Sequence, residues 1–335
     1  MTERTPLDGV DLLLADLDGV VYRGAEAIPH AVESINRAGE SRAVAYITNN
    51  ASRTPESVAK QLTGLGLEVS RDAVVTSPQA AVRLLSGLIP AGSRVLAVGG
   101  EGLHSELKLA GFEVTDSADD SPAAVIQGFA QDIGWVQLAE AAYALQGDGA
   151  ELPWVATNTD WTIPTARGIA PGNGTLVSAV HLAVGRLPVV AGKPETPIFE
   201  EAIARFGGTK PLFLGDRLDT DILGANRAGI DSVLVLTGVD QAKQVLAADP
   251  NSRPTYLLEN LAGLHEPYPP IRETAERDGS RVVTVGSAVV RMRGNVVSLV
   301  AAGDSRINLL RAASAAIWGS GLAIYGLEVD PELYA

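Results

Sequence analysis

The stretch Leu12-Leu13-Leu14-Ala15-Asp16-Leu17-Asp18-Gly19-Val20-Val21-Tyr22 decides how this chain folds. Its uninterrupted apolar run is typical of a strand buried on both faces of a parallel sheet. The run ends in Asp16 and Asp18, whose side chains share one strand face because residues two apart point the same way. Open parallel sheets bind ligands beyond the carboxyl ends of their strands. The stretch therefore predicts either an acidic site at a sheet edge or a strand ending in a solvated Asp-x-Asp-Gly turn.

The composition excludes several classes of function. Among 335 residues there are 26 Lys and Arg against 40 Asp and Glu, and the formal net charge of −14 argues against nucleic acid or an anionic membrane as a partner. The chain has no Cys, so disulfides, thiolate metal sites and Cys nucleophiles are excluded. Neither a signal peptide nor an apolar run of about 20 residues is present. We expect a soluble, cytoplasmic protein that acts on a small molecule, with a homo-oligomer left open.

Strands and helices alternate from residue 12 to about residue 236, which indicates a doubly wound α/β fold. The alternation restarts near Ile89, as if a second α/β domain were inserted into the first. The segment 247–270 contains five prolines and is interpreted as a linker. Beyond it, the pattern predicts a hairpin around 293–295, a helix over 306–318 and a strand over 322–327.

Four strand ends carry polar side chains: Asp16 with Asp18, Thr48 with Asn49, Lys193, and Asp216 with Asp219 and Asp221. Each alone has an ordinary structural explanation, such as a capping loop or a solvated turn. Together they supply a carboxylate nucleophile, hydroxyl and amide donors, a fixed ammonium group and hard oxygen ligands for Mg²⁺. Phosphoryl transfer needs this set of groups.

Other kinds of site do not fit the sequence. Gly192-Lys193 is not a P-loop, because position 187 is Leu and position 194 is Pro. Gly172-Asn173-Gly174 is followed by Val177, where a dinucleotide-binding fingerprint requires Gly. The four His residues show no metal-ligand spacing, and no Ser lies in a nucleophile elbow. Phosphoryl transfer remains the interpretation that uses all four strand ends.

In order and spacing, these four motifs resemble those of the haloacid dehalogenase (HAD) superfamily. Five longer segments are similar to the NagD-type phosphatases: Ile47–Ser52, Val98–Leu103, Pro171–Gly174, Gly192–Pro194 and Gly215–Ile222. The resemblance implies a Rossmann-like core over 1–82 and 188–250 and an inserted type II cap domain over 83–187. It leaves 268–335 as a C-terminal α+β appendage of unknown role.

The resemblance also implies a role for each motif. Asp16 would be the nucleophile that forms an aspartyl-phosphate, and Asp18 the general acid and base. The phosphoryl oxygens would be held by three residues: Thr48, Asn49 and Lys193. Mg²⁺ would be held by Asp16, the backbone carbonyl of Asp18, and Asp216. Two further acids would orient these ligands from behind: Asp219 and Asp221.

The substrate is less closely specified by the resemblance. The cap residues expected to meet it are Asn158, Asp160, Trp161 and Arg167. The sequence is most similar to phosphatases of glycerol 3-phosphate; phosphoglycolate, pyridoxal phosphate or a broad range of esters are the alternatives. Ile163 disfavours pyridoxal phosphate, since that branch carries His there. A catalytically inactive metabolite-binding protein is an alternative of another class, and the intact set of acids argues against it. For the appendage, a structural or association role is favoured over a second active site for acyl transfer.

Overall fold

The computed structural model describes residues 4–165 and 167–335. These residues form two compact units, one of residues 4–43 with 209–335 and the other of residues 44–208. The elements up to residue 43 are β1 Leu12–Ala15, β2 Tyr22–Arg23, β3 Glu26–Ala27 and α1 Ala31–Gly39. Those from residue 43 to 109 are β4 Ala43–Thr48, α2 Pro55–Gly64, β5 Val74–Thr76, α3 Ser77–Ser86, β6 Arg94–Val98 and α4 Glu101–Leu109.

The remaining elements of the second unit are β7 Glu113–Thr115, β8 Ala124–Gln127, α5 Trp135–Ala144, β9 Trp154–Ala156, β10 Thr162–Thr165, β11 Gly168–Pro171, α6 Asn173–Val184, β12 Val189–Val190 and α7 Pro197–Phe206. The chain then continues with β13 Pro211–Gly215, α8 Leu223–Arg227, β14 Asp231–Val235, α9 Ala242–Leu246 and β15 Tyr256–Leu258. It ends with β16 Arg272–Ala275, β17 Arg281–Val285, β18 Ala288–Arg293, β19 Val296–Ala301, α10 Arg306–Trp318 and β20 Glu328–Val329.

The first unit is built on four parallel strands in the order β15-β14-β13-β1. The apolar run of β1 is completely buried, as its composition predicts for a strand covered on both faces. In the register of β1 with β13, Ala15 lies opposite Leu214. Asp16 and Asp216 therefore follow adjacent parallel strands and lie at the same edge of the sheet. The predicted doubly wound α/β class is confirmed.

The C-terminal part of this unit is a five-stranded sheet, β16 to β20 in chain order, covered by α10. Its apolar residues belong to the same core cluster as those of the parallel sheet, with Val290 and Ile317 packed in one cluster with Leu234 and Leu257. Each fully buried side chain of this kind contributes about 1.5–3 kcal/mol of burial free energy. The appendage is therefore a packed continuation of the unit.

Three expectations for this region need correction. The segment 247–270 is not a linker, because Tyr256–Leu258 forms β15 and pairs in parallel with β14. The predicted hairpin around 293–295 exists, as β18 and β19, but β17 adds a third antiparallel strand before it. The strand expected over 322–327 is wrong, since Ile324–Gly326 is a short 3₁₀ turn and the last strand is Glu328–Val329. The helix over 306–318 is confirmed.

The second unit has its own parallel sheet in the order β12-β9-β8-β6-β7, and β4 pairs in parallel with β5. Helices α5 and α6 contact each other beside the five-stranded sheet, and the antiparallel hairpin β10–β11 precedes α6. The Thr54 hydroxyl caps α2 by accepting the Ser57 N–H, and Pro55 occupies the first helical turn, where its missing N–H is not needed. Across 4–165 and 167–335, no helix has the length and apolarity needed to cross a membrane.

Candidate active site

Three carboxylates converge at the edge of the first unit's sheet. Asp16, Asp216 and Asp221 each place one oxygen so that the three atoms lie within 4.8 Å of one another. The Asp16 N–H donates to the Leu214 carbonyl at 2.9 Å, which continues the β1–β13 ladder up to the cluster. Asp16 is half-buried, whereas Asp216 and Asp221 are each only 1% exposed. Three close acids repel one another unless a cation balances them, and oxygen ligands suit a hard divalent cation.

Asp221 holds the backbone that carries Asp216. Its Oδ2 accepts the N–H of Asp216 at 3.0 Å and that of Arg217 at 3.2 Å. Asp221 reaches these groups from the single wide helical turn Leu218–Ile222, which follows β13. Two charge-assisted hydrogen bonds fix the turn and therefore the direction in which Asp216 leaves the strand.

The Asp216 carboxyl group is enclosed by backbone that leaves no room for side chains. The Val239 N–H donates to its Oδ2 at 2.7 Å. A Cβ on Gly238 would lie 1.9 Å from that oxygen, and a Cβ on Gly19 would lie 2.4 Å from it. Gly19 also has φ +83°, in the left-handed region. Glycine at both positions is what allows the acid to be buried here.

The structure separates Asp219 from the carboxylate cluster. Asp219 is exposed and forms a two-pronged ion pair with Arg217, with Nε to Oδ1 at 3.0 Å and Nη2 to Oδ2 at 2.9 Å. The sequence missed another acid, Asp240, whose Oδ2 accepts the Leu218 N–H at 2.6 Å at the start of the wide turn. Burial raises the pKa of Asp240, and the bond from Leu218 opposes that rise. Its position in a loop after β14 gave no pattern from which to predict it.

Asp18 lies in a tight turn beside the cluster. The Leu17 carbonyl accepts the Val21 N–H at 2.8 Å, so the chain reverses just after the strand. Asp18 is exposed, and its Oδ2 accepts the Tyr22 hydroxyl at 3.4 Å. A carboxyl group at this exposed position is accessible to water and to a leaving group, which suits general acid–base chemistry.

In the second unit, the side chain of Asn49 hydrogen-bonds the main chain of Lys193 on both sides. Its Oδ1 accepts the Lys193 N–H at 2.8 Å, and its Nδ2 donates to the Lys193 carbonyl at 3.0 Å. Thr48, the last residue of β4, accepts the Asn50 N–H on its hydroxyl at 3.1 Å. Thr48 and Lys193 are 5% and 3% exposed. The predicted motif residues Asn49 and Lys193 are therefore in direct contact.

Two of the cap candidates, the buried Asn158 and the half-buried Asp160, hydrogen-bond Asn49, whereas the other two are exposed. Asn158 is 4% exposed and donates through Nδ2 to the Asn49 carbonyl at 2.8 Å, while its Oδ1 accepts the Asp160 N–H at 3.1 Å. Asp160 Oδ1 accepts a hydrogen bond from Asn49 Nδ2 at 3.1 Å. Trp161, at 66% exposed, and Arg167 lie outside this network. Asn158 is thus a structural residue of the loop, and Asp160 helps to fix the orientation of the Asn49 carboxamide.

The first turn of α6 supports this loop, which explains the segment Pro171-Gly172-Asn173-Gly174. Asn173 is buried and donates through Nδ2 to the Asn158 carbonyl at 2.7 Å. The Gly174 N–H donates to the Asp160 carbonyl at 2.9 Å. The sequence identified this segment as a motif but gave Asn173 no role, because its partner lies 15 residues away in the chain.

The parallel sheet ends in a carboxylate cluster whose donor set fits a divalent cation, and comparison with known proteins shows the class to which this α/β protein belongs. Residues 13–113 match the model of the haloacid dehalogenase-like hydrolases, and residues 190–264 match a second, HAD-hydrolase-like model. The chain is 42% identical over 308 residues to the D-glycerol 3-phosphate phosphatase of Mycobacterium tuberculosis, covering 92% of this chain and 86% of that protein. It is also 34% identical over 251 residues to the acid sugar phosphatase of Staphylococcus epidermidis, covering 74% of this chain and 94% of that protein.

A solved structure agrees over nearly the whole length. The crystal structure of glycerol phosphate phosphatase from Mycobacterium tuberculosis in complex with magnesium superposes with a TM-score of 0.82 and 38% identity, covering 98% of this chain and 95% of that one. The chain therefore belongs to the haloacid dehalogenase-like hydrolases. Within that family it is a phosphatase, a hydrolase of phosphoric monoesters.

Proposed function

We propose that this protein hydrolyses glycerol 3-phosphate to glycerol and phosphate, with Mg²⁺ as cofactor. The observation that supports this choice of substrate is the 42% identity to a D-glycerol 3-phosphate phosphatase across 92% of the chain. The proposed setting is a cytoplasmic enzyme acting on a small phosphorylated metabolite, without nucleic acid or membrane as a partner. The proposal includes both a monomer and a homo-oligomer.

The donor set of the first unit fits Mg²⁺. Asp16 and Asp216, with the backbone carbonyl of Asp18, are the proposed ligands, and Asp221 orients them through the backbone of Asp216. Asp219, paired outward with Arg217, is the weaker candidate for that supporting role. When bound, Mg²⁺ supplies positive charge that offsets the repulsion between an attacking carboxylate and a phosphate dianion.

The chemistry proceeds through two displacements at phosphorus. A carboxylate oxygen of Asp16 attacks, the bond between phosphorus and the ester oxygen breaks, and Asp18 donates its proton to the leaving alkoxide. Asp18, now ionised, takes a proton from water, whose oxygen attacks the aspartyl-phosphate. The bond between phosphorus and the Asp16 oxygen then breaks, which releases inorganic phosphate and restores Asp16. The exposed position of Asp18 supports this role.

Thr48, Asn49 and Lys193 are the proposed phosphate-binding residues. The Lys193 ammonium group supplies a point charge and the Thr48 hydroxyl a neutral donor. Because the Asn49 side chain is engaged with Lys193 and Asp160, the contribution of Asn49 to the phosphate is its main-chain N–H. Its carboxamide instead fixes the backbone from which Lys193 extends.

Residues 83–187 form the proposed type II cap, which selects the alcohol part of the substrate. Asp160, Trp161 and Arg167 are the candidates for contact with the glycerol hydroxyls. Asn158 serves the cap indirectly, because both ends of its buried carboxamide bond protein groups.

The test is a comparison of kcat/KM for phosphate release from four esters: D-glycerol 3-phosphate, L-glycerol 3-phosphate, phosphoglycolate and pyridoxal phosphate. We expect the highest value for a glycerol phosphate and no measurable rate in EDTA. A higher kcat/KM for phosphoglycolate or pyridoxal phosphate would reassign the substrate while leaving the phosphatase intact. Activity that survives EDTA would contradict the metal dependence.

A further inference from the structure

A polar cleft of about 740 Å³ opens in the first unit, away from the carboxylate cluster. Its walls come from the segment 258–272, from β17 and from the first turns of α10. It shares no lining residue with the group Asp16, Asp216 and Asp221. The volume lies within the range of clefts that bind metabolites, about 300–1,000 Å³.

Arg311 is the buried charge that lines this cleft. The residue is only 8% exposed, and its guanidinium bonds neutral groups: Nε and Nη2 donate to the Leu257 carbonyl at 3.0 and 2.7 Å, and Nη1 donates to Asn308 Oδ1 at 2.7 Å. Its carbon Cζ lies 4.1 Å from the centre of the Tyr268 ring. In the part of the chain that the structure describes, no carboxylate oxygen lies within 4.0 Å of it.

A buried arginine without an anion is an unusual arrangement, because a desolvated charge is costly unless it is paired. Burial lowers the pKa of the Arg311 guanidinium, and this is opposed first by the Tyr268 side chain and then by Glu266, a carboxylate that is solvent-exposed. The other ionisable groups on the cleft, which are His30, Glu259 and Arg272, are exposed as well. Water screens those charges, whereas Arg311 lacks that screening.

We propose that this cleft binds a small anionic metabolite, whose phosphate or carboxylate group pairs with Arg311. The anion supplies the charge that the protein itself does not place beside the guanidinium. The Asn308 side chain and the Arg311 guanidinium form one wall of this anion site, and Thr284 of β17 forms another. The site is separate from the proposed phosphatase centre, so its existence does not depend on which ester that centre hydrolyses.

The test uses Asn308→Asp, which changes one atom and places a carboxylate where Asn308 Oδ1 already accepts from Arg311. That internal carboxylate neutralises the guanidinium and repels an incoming anion. A second variant, Thr284→Glu, adds a carboxylate on the β17 side of the cleft. Asn295→Asp, in the exposed turn between β18 and β19, adds the same charge outside the cleft.

Binding of inorganic phosphate and of malonate to the full-length protein is measured by isothermal titration calorimetry in EDTA. We expect saturable binding of at least one probe by the parent, weakened at least about tenfold in N308D and in T284E and unchanged within about twofold in N295D. The probe that binds more tightly identifies the preferred head group. Absence of saturable binding by the parent overturns the proposal. An affinity in N308D and T284E that equals that of the parent also overturns it, since the anion would then be bound elsewhere, as at the proposed phosphate-binding residues Thr48 and Lys193.

Discussion

The carboxamide of Asn49 hydrogen-bonds the main chain of Lys193 on both sides, accepting its N–H at 2.8 Å and donating to its carbonyl at 3.0 Å. The two residues are 144 positions apart in the chain. Asn49 therefore acts as a positioning residue for the ammonium group of Lys193. This assigns to its side chain a different task from the phosphate contact that the motif suggests.

We expect Asn49→Ala to lower kcat/KM by about 100-fold, because the main chain of Lys193 loses its two hydrogen bonds to the Asn49 carboxamide and a displacement of about 1 Å can cost that much. Steady-state kinetics on glycerol 3-phosphate measure the loss. Asn50→Ala is the control, since the Asn50 side chain only caps the neighbouring Ser52. A kcat/KM for N49A within threefold of the parent would contradict the positioning role.

Asp16→Asn tests the nucleophile. Phosphate release should fall at least about 10³-fold, equivalent to about 4 kcal/mol of transition-state stabilisation. The same change removes one of three mutually close negative charges, so in EDTA the melting temperature should rise or stay level. A variant as fast as the parent would exclude Asp16 as the attacking group, and a falling melting temperature would show that the loss came from unfolding.

Asp221 and Asp219 should differ in their effect on metal binding, although they are two residues apart. Asp221→Ala removes the acceptor for the N–H groups of Asp216 and Arg217, and we expect at least tenfold more Mg²⁺ for half-maximal activity. Asp219→Ala removes only an exposed ion pair and should change that concentration less than threefold. Equal effects of both variants would refute the assignment of Asp221.

Gly238→Ala should abolish Mg²⁺-dependent activity, because its Cβ would lie 1.9 Å from the Asp216 carboxylate oxygen. Gly326→Ala lies in the same unit with open space around its Cβ and serves as the control. Activity titrated with Mg²⁺ separates the two. Parent-like activity of G238A would mean that the Asp216 carboxyl moves without functional cost.

The hydrogen bonds of Asp11 predict that part of the free energy of unfolding depends on pH. The Thr209 hydroxyl at 2.5 Å, then the N–H groups of Lys210 and Thr209, lower the pKa of Asp11 to about 2. Since this value lies below the unfolded one of about 3.9, the ionised carboxylate stabilises the fold above pH 4, and the gain is lost as the pH falls through 2.

The measurement for Asp11 is the urea midpoint of Asp11→Ala against the parent from pH 6 to pH 2. The difference in midpoint should be largest near neutrality and shrink below pH 4. Asp8→Ala, which removes an acid of the same segment that accepts the Thr5 hydroxyl, is the control and should show a smaller difference in midpoint at pH 6. A difference for D11A that grows on acidification would reverse the sign and refute the assignment.

Sequence reasoning predicted the carboxylate cluster because its signal is local. The apolar run before Asp16 and the strand before Asp216 are each recognisable alone, and parallel strands bring their carboxyl ends to one edge. The amide network was not predictable in this way. Asn49, Asn158 and Asn173 look in sequence like capping or ligand residues, and only tertiary contacts decide which groups their carboxamides meet.

For the segment 247–270, a strong local pattern led to a wrong prediction. Its five prolines indicate a linker, yet Tyr256–Leu258 needs only three residues to pair with β14. Leu257 and Leu261 are buried there, at 3% and 1% exposed. A strand of three residues is too short to show a periodic pattern of apolar residues in the sequence. Its formation depends on pairing with β14 and on burial in the apolar core.

The residues that flank the hairpin β10–β11 are hydrogen-bonded to one another. The Trp161 carbonyl accepts both the Gly172 N–H and the Thr175 hydroxyl at 2.8 Å, whereas Ile169 within the hairpin is 73% exposed. Substitutions in residues 162–171 therefore do not remove the groups that form these two hydrogen bonds to the Trp161 carbonyl. Under the proposed cap role, such a segment can accumulate mutations or accept a graft from a relative, so that the enzyme acquires new esters while the proposed catalytic groups stay unchanged.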